Sequence, residues 1–480
     1  MSVLLILALG LALLLYLGTA WWHSRKPLPS GLHLDGAWRQ ANNLALLFDE
    51  SYLDSSGTRC CRQSIFDEIF RLIAQARRLV VIDIFQFNDP ADERVDCHRQ
   101  ISIELRDALL ARKRDCPGIE IVVITDAINS VYGGRHATHL DDLCKAGVHV
   151  VVSDRLAGRD ANPSWTALWR LLIRPFGNSP QGAWLVNPLG PGKVTLRSYL
   201  AALNFSANHR KTLVVDQGDE WTAVVSSANA DDGSSAYRDV ALRFSGDAVL
   251  ELLASELEIA ALSGLARPPV SFPIPPAGNA KFLADAPRLR VISEGAISNA
   301  LLSAIAEARP DERIDLEVLY LSHRRVIAAL REARKRGVTI RVLLDPNDSA
   351  FGRESAGMPN QQAAGDLVRA GITVRWSDTH GEQAHSKLLL RSGGSRPALL
   401  LLGSANYTRR SLDDLNFEVD VELVAPADHP VIAKAQAAFE RHWYNLDGER
   451  HSVEYGAYAD SSRLRYWRYR AMEASGWSTF

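Results

Sequence analysis

The sequence predicts an α/β chain built from two similar halves behind an N-terminal transmembrane helix. Three observations carry that expectation. An uncharged run opens the chain, from Val3 to Trp22. Four stretches of the first half then recur in the same order in the second. Between the halves lies a proline-rich segment, "LARPPVSFPIPPAGNAKF" (Leu265 to Phe282).

The opening run, "VLLILALGLALLLYLGTAWW", is long enough to span roughly 30 Å of hydrocarbon at about 1.5 Å per residue. Trp21 and Trp22 close it where interfacial aromatics sit, and His23, Arg25 and Lys26 follow at once. No Lys or Arg precedes the run, so it lacks the basic start of a secretory signal. A cell-membrane anchor is therefore expected. The positive-inside rule puts the rest of the chain in the cytoplasm. The five cysteines, Cys60, Cys61, Cys97, Cys116 and Cys144, form no paired spacing and suit a reducing compartment.

The repeats alternate amphipathic helix ends, turns and short apolar strands. "ALLARKRDCPGIEIVVITD" (Ala108 to Asp126) is echoed by "ALREARKRGVTIRVLLD" (Ala329 to Asp345). "LDDLCKAGVHVVVSD" (Leu140 to Asp154) is echoed by "AGDLVRAGITVRWSD" (Ala364 to Asp378). "NHRKTLVVD" (Asn208 to Asp216) is echoed by "AHSKLLLRS" (Ala384 to Ser392). "AVVSSANADDGSSAYRDVALRF" (Ala223 to Phe244) is echoed by "LLLGSANYTRRSLDDLNFEVDVEL" (Leu400 to Leu423). Asp154 and His209 lie much further apart than Asp378 and His385, so the first repeat carries an insertion just before its His–Lys strand.

The doubled residues select the chemistry. His209 and Lys211 recur as His385 and Lys387, Ser227 as Ser404, Asn229 as Asn406. A carboxylate follows each turn, Asp239 and then Glu418. His and Lys two apart on a strand point to one side. Brought together about a pseudo-twofold axis, two imidazoles, two ammoniums and two amides suit a tetrahedral anion. Lys and Asn donate to phosphate oxygens, one imidazole attacks phosphorus, and the other protonates the leaving oxygen. Asp239 and Glu418 are candidates to fix the tautomers of the two imidazoles. No cofactor is expected, and no metal: His136 and His139 stand three apart with no further ligand set in view. His380 and Glu382 are candidates for the pocket rim.

At these residues the chain resembles the phospholipase D superfamily, whose mark is a doubled His-x-Lys-x4-Asp motif with a Gly/Ser-Ser-x-Asn turn downstream. His209, Lys211 and Asp216 match the first copy, with Ser227 and Asn229 following. His385, Lys387, Gly403, Ser404 and Asn406 match the second, which departs from the pattern at Ser392. The resemblance implies two α/β repeats packed as one pseudo-twofold sandwich with the site between them. It implies ping-pong chemistry through a phosphohistidine, with His209 as nucleophile and His385 as general acid and then base; the reverse assignment is the alternative. It implies catalytic roles for His209, Lys211, Asp216, His385 and Lys387. Ser227, Asn229, Ser404 and Asn406 would bind the substrate phosphate. The motif Asp looks structural in the family, so activity is expected to survive Ser392.

The layout resembles bacterial cardiolipin synthases most, which implies a phospholipid substrate at the membrane, hydrolysed or transferred to an alcohol or second phospholipid. A nuclease of the same superfamily is the alternative. The net charge of −2 does not encourage a polynucleotide partner. A decayed lipid-binding scaffold is the other alternative. The expected organisation is an anchor at 1–26, a first repeat at 27–264 with an insertion at about 155–202, and a linker at 265–285. A second repeat at 286–446 and an aromatic, basic tail at 447–480 complete it. Inside the insertion, Trp165, Leu168, Trp169, Leu172 and Ile173 fall at helical spacing and predict one wide apolar face.

Overall fold

The structure is a computed structural model that describes residues 3–88, 98–218, 220–266, 286–350, 353–354 and 357–478. The linker expected at 265–285 lies almost wholly outside the described residues, as does Cys97. Seven strands of each repeat carry the fold. In the first they are β1 (Asn42–Leu53), β2 (Leu79–Ile84), β3 (Glu120–Thr125), β4 (His149–Val152), β5 (Lys211–Gln217), β6 (Glu220–Ser226) and β7 (Asp239–Ser245). In the second they are β8 (Arg288–Ser293), β9 (Glu312–Val318), β10 (Thr339–Leu344), β11 (Thr373–Ser377), β12 (Lys387–Gly393), β13 (Ala398–Gly403) and β14 (Val419–Ala425).

The first sheet runs β1-β7-β6-β5-β2-β3-β4 and the second β8-β14-β13-β12-β9-β10-β11. The two orders are the same when seven is added to each strand number. In each, three strands run parallel (β2, β3, β4 and β9, β10, β11) and the rest pair antiparallel. The motif lysines hold equivalent register positions, Lys211 opposite Ile84 and Lys387 opposite Val318.

Alternation along the strands builds the layers. Val214 of β5 and Leu388 and Leu390 of β12 face a core shared by both sheets, with Val240, Leu242, Val419 and Val421. Leu213 and Val215 face outward against the helices Ile65–Gln75 and Ile101–Asp115. Leu389 faces outward against Gly295–Ala306 and Arg324–Lys335. The result is helices, sheet, sheet, helices: a sandwich of two α/β repeats. The ends cross over. Arg39–Gln40 pairs with β8 of the second sheet, so part of the chain before β1 extends the other repeat. Ser452–Glu454 extends the second sheet beyond β11.

The helix Val3–Arg25 has no buried residue and is long and apolar enough to cross a membrane. The insertion departs from its expected helix. Pro163–Leu168 is α-helical, but Trp169–Ile173 continues as a π-helical turn. The wider turn rotates the following side chains. Trp169 turns inward at 5% exposure while Leu172 is 64% exposed, so the expected single apolar face is split between core and surface. The cysteines also differ from expectation. Cys61 is disulfide-bonded, whereas Cys60, Cys116 and Cys144 are free thiols. A set of five reduced thiols was expected because spacing alone does not show which cysteines the fold brings together.

Candidate active site

The two histidines are placed by backbone bonds that stitch the repeats together. His209 N–H donates to the Phe417 carbonyl at 2.8 Å, and Phe417 N–H donates to Ala207 at 3.0 Å. The other half does the same: His385 N–H donates to Arg238 at 2.7 Å, and Arg238 N–H to Gln383 at 3.0 Å. Phe417 and Arg238 each precede a carboxylate, so each imidazole lands beside the acid of the opposite repeat. His209 Nδ1 lies 2.9 Å from Glu418 Oε2. His385 Nδ1 lies 2.8 Å from Asp239 Oδ1. One residue upstream of each histidine, a strand-ending carboxylate fixes the chain. Asp126 Oδ2 accepts from Asn208 N–H at 2.8 Å and Asp345 Oδ2 from Ala384 N–H at 2.7 Å.

The serines of the downstream turns hold these acids. Ser227 Oγ donates to Asp239 Oδ1 at 2.5 Å and accepts from Val240 N–H at 3.0 Å. Ser404 Oγ donates to Glu418 Oε2 at 2.5 Å and accepts from Val419 N–H at 3.0 Å. Both hydroxyl protons, expected at a phosphate, are thus directed at carboxylates. The lysines curl back on their own histidines: Lys211 Nζ donates to the His209 carbonyl at 2.6 Å, and Lys387 Nζ to that of His385. Asn229 Nδ2 donates to Gln86 Oε1 at 2.9 Å, and the Oδ1 atoms of Asn229 and Asn406 are buried without a hydrogen-bond partner.

Burial sets the charge states. It presses His209 down to about 3 and His385 to about 4, against the pull of their carboxylates. The free site therefore holds neutral imidazoles. With Nδ1–H directed at a carboxylate, the lone pair sits on Nε2. Burial opposes ionisation of Glu418, but His209 outweighs it and the carboxyl falls to about 2. His385 likewise lowers Asp239 against its burial. Burial, modified by the neighbouring charges, lowers Lys211 to about 7 and Lys387 to about 8.

His209, His385, Asn229 and Asn406 line one cavity of about 310 Å³. Its walls mix polar groups with Phe85, Ile128, Tyr132, Tyr237, Leu319 and Tyr320. The insertion supplies a further wall through Leu189 and Ala202, and Phe205 just after it adds to that wall. Phe85 packs its ring 4.9 Å from that of His209 and 5.0 Å from Lys211 Nζ, while Phe87 is fully buried. Tyr237 stands 5.9 Å from His385.

Asp216 lies at the far end of β5. Its Oδ1 accepts the N–H groups of Arg77, Arg78 and Leu79 at 3.1, 2.8 and 2.9 Å, which caps the turn entering β2. In the second repeat Ser392 pairs with Arg313 at the matching register position, and the nearby turn carries a bond from Arg309 N–H to Glu312 Oε2 at 2.8 Å. His380 pairs with Asp378 at 3.2 Å, and buried Glu382 with Arg59; neither lines the cavity. No group of three or more His, Cys, Asp or Glu among the described residues is placed to hold a metal.

Sequence reasoning missed Tyr237 and Arg410, which line the cavity, and the pair Asp126 and Asp345. The signal for that pair was present, since both close an apolar strand at the same point of the repeat. Tyr132 and Phe205 reach the cavity from left-handed backbone, at φ 57° and 54°, which no local pattern announces.

A family model described as "Cardiolipin synthase, PLD-like domain" matches residues 301–443. No curated protein matches the chain. Among solved structures, the phosphatidylserine synthase of Haemophilus influenzae Rd KW20 is similar at 9% identity and TM-score 0.55, over 92% of this chain and 96% of that one. The polyphosphate kinase of Porphyromonas gingivalis is similar at 14% identity and TM-score 0.47, over 90% of this chain and 53% of that one. Nuc of Salmonella typhimurium, a phospholipase D family member, is similar at 21% identity and TM-score 0.26, over 34% of this chain and 97% of that one. The first of these likenesses shows a fold shared along nearly the whole chain, and the family match places residues 301–443, with the second motif and its turn, in the phospholipase D-like domain family.

Proposed function

We propose that this chain is a membrane-anchored enzyme that acts on phospholipid phosphodiester bonds through a phosphohistidine, by hydrolysis or by phosphatidyl transfer as in cardiolipin synthesis. One observation carries the reading: two imidazoles, each held by the carboxylate of the other repeat, face one partly apolar cavity. His385 takes up a proton from solvent as the anionic substrate binds; His209 Nε2 then attacks phosphorus, the bond to the leaving oxygen breaks, and His385 gives that oxygen its proton. His385, now neutral, takes a proton from water or an alcohol. The freed oxygen attacks phosphorus and the P–N bond breaks. Lys211, Lys387, Asn229 and Asn406 stabilise the phosphoryl oxygens. Ser227 and Ser404 act through the carboxylates they hold. Asp216 serves the strand turn.

The helix Val3–Arg25 holds the site at the membrane, with the catalytic part in the cytoplasm. The organisation into an anchor, two repeats, a linker and a tail is part of this reading.

The test uses full-length protein in vesicles containing labelled phosphatidylglycerol, with and without a chelator. A chelator-resistant product, together with an acid-labile, base-stable phosphoprotein that His209→Ala abolishes, would support the proposal. Cardiolipin as product means transfer, and phosphatidate means hydrolysis. Salt-sensitive cleavage of single-stranded nucleic acid with no lipid product would turn the assignment to the nuclease alternative. No phosphoprotein with any substrate would leave a scaffold.

A further inference from the structure

We propose that the insertion of the first repeat is a second membrane contact, lying on the same bilayer that the anchor helix enters and opening the catalytic cavity onto it. The inference rests on the anchored reading above and adds where the bilayer meets the folded part.

The anchor does not leave the body at its last residue. Tyr16 Oη donates to the Ser164 carbonyl at 3.0 Å. Asp160 N–H donates to the His23 carbonyl at 3.0 Å, and Lys26 Nζ to that of Leu156 at 3.0 Å. Tyr16, Thr19, Ala20, His23 and Ser24 are the partly covered positions of the anchor's second half, one helical stripe against the insertion. Tyr16 stands nine residues before Arg25, about 13 Å along the helix axis. An anchor that spans a bilayer up to Trp22 therefore carries Ser164 down to the level of its outer hydrocarbon.

What the insertion shows at that level is apolar. Leu171, Leu172, Phe176, Trp184, Val186 and Leu196 are all between 41% and 74% exposed. They sit on elements tied to one another. Trp165 Nε1 donates to the Leu200 carbonyl at 2.9 Å, and Arg197 stacks on Trp169 at 4.7 Å. Tyr199 Oη donates to the Val186 carbonyl at 2.5 Å. The chain of contacts runs from the anchor, through Pro163–Ile173 and Leu196–Ala202, to the hairpin of Leu185–Val186 and Lys193–Val194. The inner side of these same elements reaches the cavity at Leu189 and Ala202. An exposed apolar surface continuous with a spanning helix matches a bilayer interface.

Full-length chains with all five cysteines replaced by Ser, and a single environment-sensitive label at Leu172→Cys, Trp184→Cys or Lys335→Cys, would be reconstituted in phosphatidylcholine–phosphatidylglycerol vesicles. Nitroxide-labelled lipid should remove about half the emission at positions 172 and 184 and little at 335, which sits on an outer helix of the second repeat. Adding Phe176→Glu and Leu196→Glu should reduce that quenching at 184, with circular dichroism and elution unchanged. Equal, weak quenching at all three positions would overturn the proposal. So would shielding that persists in detergent with energy transfer between labels of two copies, because a second copy would then cover the face. Quenching with no lipid turnover would leave the contact standing and remove the lipid reaction; turnover without quenching would do the reverse.

Discussion

His209 and Glu418 stand 209 residues apart in sequence and 2.9 Å apart in space. His385 and Asp239, 146 residues apart, form the mirror pair at 2.8 Å. Each half of the molecule thus supplies an imidazole and borrows the acid that orients it.

Removing a borrowed acid should cost rate and leave the fold in place. Glu418→Gln keeps the shape but leaves the His209 tautomer unfixed, and kcat should fall by about 10²–10⁴-fold. Acid-quench trapping separates the two histidines. His209→Ala should show no phosphoprotein. His385→Ala should trap it if the leaving group departs unaided. The opposite pattern would exchange their roles.

Asp216→Ser should weaken stability by about 1–3 kcal/mol, because three backbone N–H groups lose their acceptor. It should leave kcat nearly unchanged, since the residue lies five positions, about 16 Å, along the strand from Lys211. Thermal unfolding and turnover on the same sample check both parts. A loss of rate with unchanged stability would give the carboxylate a chemical role.

The pH profile should be asymmetric. Lys211 and Lys387 are held down to about 7 and about 8, so both are charged below those values and lose charge as pH rises through them. Affinity for an anionic phosphodiester should fall over that window. On the acid side the imidazoles stay neutral until about 4 and about 3. The profile of kcat/KM, which reports the free enzyme, should therefore decline above pH 7 and, because His385 must take up a proton before it acts as acid, keep rising as pH falls toward about 4. Lys211→Arg should move the alkaline limb upward.

Topology can be read from a native thiol. Cys144 is free and exposed. In intact cells it should resist a membrane-impermeant maleimide and react after permeabilisation, as a cytoplasmic catalytic part requires. Labelling of intact cells would put that part outside, in the kind of compartment where the Cys61 disulfide persists.

Much of the site was legible because its parts are local. A strand that begins with His-x-Lys and continues with apolar residues shows its buried character and its polar mouth in nine residues. Doubling that pattern gave the two repeats. The pairing of each histidine with the opposite carboxylate was not legible, since it depends on how two separately patterned sheets dock. The turn at Trp169–Ile173 was missed for a different reason. The 3.6-residue period that predicted one apolar face does not survive a π-helical turn. Ser392 read as a departure from the motif. The first-repeat Asp216 caps three backbone N–H groups, a role that the motif alone does not announce.

The crossed carboxylates also have a meaning in time. A ribosome releases the first repeat before the second. While the chain is growing, His209 has no Glu418 and Asp239 has no histidine to hold. A protein cut short before residue 385 would keep its N-terminal helix and its first motif yet lack half of each imidazole–carboxylate pair. Both pairs therefore close only after residue 418 has been made and the second repeat has docked on the first.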